Sequence, residues 1–74
     1  MVKENSIYTH YKGDDYEILF VVKDSTNERD GTEMVVYRSI TKGIVHCRDL
    51  AEFIAEVEWP DGVMRSRFIE KESL

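Results

Sequence analysis

Seventy-four residues, 42% hydrophobic and 34% charged, fit one globular domain (residues 1–74, core about 7–69) and exclude a disordered chain or a second core. A formal net charge of −5 opposes the phosphates of nucleic acid and anionic lipid, so extended nucleic acid is disfavoured and no membrane partner is expected. The single cysteine, Cys47, excludes an intrachain disulfide and fits a reducing compartment.

The opening Met1-Val2-Lys3-Glu4-Asn5-Ser6 has no apolar core of the kind a signal peptide needs. The longest apolar run, Ile18 to Val22, is far short of the ~20 residues that span a bilayer. A cytoplasmic location is the expectation.

Tyr8-Thr9-His10-Tyr11 reads as a short strand, with alternation placing Tyr8, His10 and Lys12 on one face and Thr9 and Tyr11 on the other. Gly13-Asp14-Asp15 turns the chain into the strongest strand, Tyr16 to Val22. That strand is apolar on both faces, as a central or strongly curved strand would be. Glu17 shares a face with Leu19 and Val21, which calls for a cation; Lys12 and Arg38 are the candidates. Asp24 to Thr32 is a polar loop ending in Asp30-Gly31. Met34 to Ile40 is β-rich, and Thr41-Lys42-Gly43 turns tightly into Ile44 to Arg48, so the sheet should be antiparallel.

At Asp49 the period changes. Leu50, Phe53, Ile54 and Val57 fall on one face of a short helix, with Asp49 and Glu52 spaced like a capping box. Trp59-Pro60-Asp61-Gly62 has type I turn chemistry, and Val63 to Ile69 follows as a last strand. About five strands and one helical turn must curl to bury their apolar faces. The expected fold is mainly β, a small antiparallel SH3-like barrel with one short helix. Leu19 and Val21, or Ile18 and Phe20, should meet Val36, Phe53 and Phe68 in its core.

Tyr8-Thr9-His10-Tyr11-Lys12-Gly13-Asp14-Asp15-Tyr16-Glu17 resembles the opening Tyr-x-His-Tyr-Lys-Gly-x-x-Tyr-Glu pattern of a bacterial family of small proteins, Domain of Unknown Function 1653. Val35-Val36-Tyr37-Arg38, the positions of Arg48, Leu50 and Phe53, and Arg67-Phe68 are similar to later parts of that pattern. Where the family reads aromatic-Val-Arg-Pro, this chain has His46-Cys47-Arg48-Asp49. The resemblance implies a small β-barrel and carries no established activity.

The residues themselves offer little chemistry. His46 and Cys47 are adjacent on a strand and point to opposite faces, so a thiolate–imidazole pair is disfavoured; Cys47 should be buried and inert beside Val45. His10, His46 and Cys47 show no ligand spacing for a metal, and Asp14-Asp15 suits a turn rather than paired acid–base work. No glycine-rich phosphate loop exists, and no cofactor is expected.

Charge is uneven along the chain. Residues 34–48 carry Arg38, Lys42 and Arg48 with no acid, while residues 13–33 hold seven acids against two bases. Arg48 also precedes a helix start at Asp49, where first-turn amides favour anions. These features give a candidate ligand site of Tyr8, His10, Lys12, Arg38 and Arg48 on one side of the barrel. The expected function is a non-enzymatic binding module for a peptide, nucleotide or other small anionic ligand. The alternative is a structural or assembly protein that uses the same patch for homo-oligomerisation.

Overall fold

The computed structural model describes residues 2–71. In chain order these form β1 (Ile7–His10), β2 (Asp15–Asp24), β3 (Thr32–Ser39), β4 (Val45–Asp49), α1 (Leu50–Ile54), β5 (Glu56–Glu58), β6 (Met64–Ser66) and β7 (Phe68–Glu70). One antiparallel sheet runs β4-β3-β2-β1-β7, and β5 and β6 form a separate hairpin. The fold is therefore mainly β with one short helix, as expected. No helix is long and apolar enough to cross a membrane.

The sheet is strongly curled. Tyr37 of β3 and Phe68 of β7 sit three strands apart in the ladder, yet their ring centroids are 5.3 Å apart. A flat sheet with strands about 4.8 Å apart could not bring them so close. Among the described residues no ladder joins the edge strands β4 and β7, so the expected barrel is an open curl rather than a closed cylinder.

A bulge in β2 decides which side chains fill the concave face. Ile18 pairs with Tyr37 and Phe20 with Val36, leaving Leu19 as the extra residue. The inward set therefore switches from Tyr16 and Ile18 to Val21. Ile18 is fully buried, whereas Phe20 is 57% exposed on the convex face with Val36 beside it. The core is Val2, Tyr8, Ile18, Val35, Tyr37, Phe53 and Phe68, with Tyr16, Val21 and Leu50 packed against it. This corrects the expected placement of Phe20, because alternation cannot be carried across a bulge, and of Val36, which alternates with the inward Val35 and Tyr37.

The first residues of the chain cap this irregular point. The Asn5 N–H donates to the Ile18 carbonyl at 2.8 Å, the Ser6 carbonyl accepts from Ile18 N–H at 2.9 Å, and Val2 enters the core.

Helix α1 is one turn long and stops at Ile54 rather than reaching Val57. It lies over β3 and β4 and delivers Phe53, fully buried and stacked on Phe68 with centroids 4.0 Å apart. Asp49 does not cap it; the Asp49 carboxylate takes the Arg29 guanidinium instead.

The expected last strand is two. Residues 64–66 pair with β5, residues 68–70 pair with β1, and the chain bends between them at Arg67. That bend is held on both sides: the Arg67 N–H donates to the Ala55 carbonyl at 2.8 Å, and its carbonyl accepts from Tyr11 N–H at 3.0 Å.

Candidate functional site

On the concave face, beside the half that α1 covers, lies a cleft of about 280 Å³. Three pieces of backbone build it. The first is the β1–β2 turn. β1 ends at His10, so alternation stops there and Tyr11 swings to the same side as His10. Gly13 closes the turn at φ 107°, a left-handed conformation that a side chain would strain, with its N–H donating to the His10 carbonyl at 2.7 Å. Tyr11, Lys12 and Asp14 thereby reach the cleft wall.

The second piece is the inner face of β4. Arg48 pairs with Val35 and His46 with Tyr37, so both point inward, while Cys47 faces outward with Val36. The Arg48 Nε–H donates to the Tyr37 hydroxyl at 3.3 Å, and its Nη1 lies 3.5 Å from Glu52 Oε1. The third piece is the bend at Arg67, which sets that guanidinium 5.9 Å from the centre of the Tyr11 ring.

The walls are aromatic. His10 lies 4.6 Å from Tyr11 and 4.8 Å from Phe68, centroid to centroid, and Tyr16 stands edge-on to Tyr37 at 5.4 Å. His46 stacks on Tyr37 at 5.4 Å. Three cations, Lys12, Arg48 and Arg67, share this lining with one carboxylate, Asp14. On a chain of net charge −5 that is a local inversion of sign.

The titrating groups register it. Burial, then the charges of Arg67, Arg48 and Lys12, hold His10 below the ordinary imidazole value, with Asp14 opposing weakly. His10 Nδ1 accepts the Lys12 N–H at 3.2 Å, so the neutral ring keeps its proton on Nε2 as a donor. Burial, helped by Asp14, pushes the Tyr16 hydroxyl up. The hydrogen bond to Tyr37 raises Arg48 further. Near neutral pH the cleft therefore offers donors and positive charge.

Of the five residues singled out from the sequence, the fold brings His10, Lys12 and Arg48 together. Tyr8 is instead in the core, 7% exposed and edge-on to Phe53 at 5.6 Å. Arg38 lies on the convex face, because it alternates with the inward Tyr37. There its Nη2 meets Glu17 Oε1 at 2.5 Å, which answers the need of Glu17 for a cation.

Tyr11, Tyr16, Tyr37, His46 and Arg67 join the site without having been singled out. The alternation of His46 with Arg48 was a usable signal for one of them. The bend that aims Arg67 has no glycine or proline to announce it.

Cys47 is exposed, not buried as expected, because β4 is an edge strand whose outer face nothing covers among the described residues. Its thiol and the His46 ring lie on opposite faces of the strand. Among the described residues no group of three or more His, Cys, Asp or Glu side chains is gathered to hold a metal ion.

No curated protein and no solved structure matches this chain. The family described as "Protein of unknown function (DUF1653)" matches residues 6–70, and the chain belongs to that family.

Proposed function

We propose that the protein is a non-enzymatic binding module that holds a small anionic group in the cleft between the β1–β2 turn, β4 and the Arg67 bend. One observation carries this reading: three cations and a neutral histidine donor converge on an aromatic-walled recess of an otherwise acidic chain. At about 280 Å³ the recess is just below the range of drug-sized pockets, roughly 300–1,000 Å³, and suits one anionic head rather than a large cofactor. The ligand classes it fits are a nucleotide, a peptide carrying an anionic group, or another small anion.

An amide NMR titration with inorganic phosphate, AMP and a short acidic peptide tests this. Saturable shifts should concentrate at His10, Tyr11, Lys12, Arg48 and Arg67. A small ligand making one or two charge contacts should lose affinity only mildly with salt, whereas an oligonucleotide would lose it steeply. Shifts confined to the convex face, or none with any probe, would overturn the reading.

The runner-up, an assembly protein, finds its exposed apolar area outside the patch expected for it. The convex face exposes Phe20 of β2 (57%) and Val45 of the edge strand β4 (56%). Light scattering over a concentration series separates the two: a constant monomer mass removes self-assembly.

A further inference from the structure

The cations of this chain are not equally committed. Arg29, Arg38, Arg48 and Arg65 each hold a carboxylate. Arg67, the fifth arginine, holds none among the described residues, although acids outnumber bases fifteen to ten along the chain. Its Nε is moreover buried and finds no acceptor among the described residues. A buried donor without a partner is costly, and in native structures it calls for a specific explanation.

The surroundings aim the rest of this side chain at the cleft. The Arg67 backbone is tied on both sides, to Ala55 and to Tyr11, so the side chain leaves a fixed point. Its guanidinium lies against the Tyr11 ring, and the Lys12 ammonium, also without a carboxylate partner among the described residues, lies 5.8 Å from the centre of the same ring. Two cations without a carboxylate partner among the described residues thus flank one aromatic wall of the cleft. Arginine presents its Nη–H groups as a planar fork that matches two oxygens of one oxyanion. A third oxygen of the same group would be left for Lys12.

Resting on the reading above, we propose that Arg67 is the anion-holding residue of the cleft and that its ligand carries a phosphate monoester. Through its two Nη groups, with Nε closed off by the protein, Arg67 grips two phosphate oxygens, and Lys12 meets the remaining charge. A monoester carries about −1.5 to −2 at neutral pH and three acceptor oxygens, which matches two cations better than the single charge of a carboxylate.

The test follows the arginine side-chain Nε–Hε signals of the intact protein while inorganic phosphate, AMP or acetate is added. The Arg67 signal should shift and saturate with phosphate and with AMP, and acetate should bind about tenfold or more weaker. Tighter binding of AMP than of phosphate would show that the aromatic walls hold the attached group as well. Arg67→Lys keeps the charge and the backbone bonds but removes the fork, and should lower phosphate affinity about tenfold or more at an unchanged thermal midpoint.

If cleft amides titrate while the Arg67 Nε–Hε signal stays still and Arg67→Lys binds as wild type, the anion is held elsewhere. The assignment then falls and the cleft reading survives. Acetate binding as tightly as phosphate overturns the phosphate assignment alone. Silence from every probe overturns both.

Discussion

The concave face of the sheet has two halves made of the same material and put to opposite use. Under α1, Phe53 stacks on Phe68, and Tyr8, Ile18, Val35 and Val2 close the space around them. Beside it, Tyr11, Tyr16, His10 and His46 form a second aromatic cluster that no α1 residue covers, with three cations at its rim. Tyr37 and Phe68 belong to both: the Tyr37 ring packs on Phe53 at 5.5 Å, while its hydroxyl takes the Arg48 Nε–H. Aromatic rings are thus neither core nor site by composition. The single turn of helix decides, because it seals the rings it reaches and leaves the next ones to polar partners.

The largest effect should come from unsealing the covered half. Phe53 is fully buried, so Phe53→Ala should cost about 3–5 kcal/mol, most of what a domain of this size has. Urea or thermal denaturation measures it. A loss below about 1 kcal/mol would mean that α1 does not close that half, and the contrast between the halves would collapse.

A smaller effect belongs to the open half. His10 is held below its ordinary 6.5 by burial and neighbouring cations. Below pH 6.5 the unfolded chain binds a proton that the folded chain refuses. Stability should therefore be full above 6.5, fall as the pH drops towards the folded value, and level off beneath it. Asp15, Asp24 and Asp61, held below the usual 3.8, act in the same direction but only at lower pH. Urea midpoints at about pH 7.5 and about pH 5.5 should differ in the wild type and converge in His10→Gln. Equal pH dependence in both proteins would remove His10 from the cationic cluster.

The covered half was the more legible of the two. Turn dipeptides and apolar alternation announce the antiparallel strands, and the Leu50–Phe53–Ile54 spacing announces the helix that carries Phe53. Faces were harder. Both alternation sets of β2 are apolar, so nothing in the pattern marks Leu19 as the bulged residue that sends Phe20 outward. The open half depends on places where strands end. His10 ends β1 and brings Tyr11 round, and Arg67 interrupts a run that looks continuous from Val63 to Ile69. Such ends are set by pairing, of β7 with the distant β1 and of β6 with its hairpin partner β5, which local periodicity does not record.

The smallest expected effect is the sharpest check on which side of the sheet matters. Arg38 and Arg48 come from the same basic stretch of sequence, yet β3 and β4 place them on opposite faces. Arg38 is 43% exposed and Glu17 31%, so their ion pair is well screened by solvent and is worth about 0.2–1 kcal/mol. Arg38→Ala should therefore lower the thermal midpoint by about 1–8 °C, at about 4–8 °C per kcal/mol in a domain this small. Phosphate affinity should not change at all, because the lost charge faces away from the cleft. A loss of affinity like that expected for Arg67→Lys would mean that the convex face takes part in binding, and the division between the faces would fail. Outright unfolding would mean instead that Glu17 cannot be left without its cation, and that the pair is a structural bond stronger than its exposure implies.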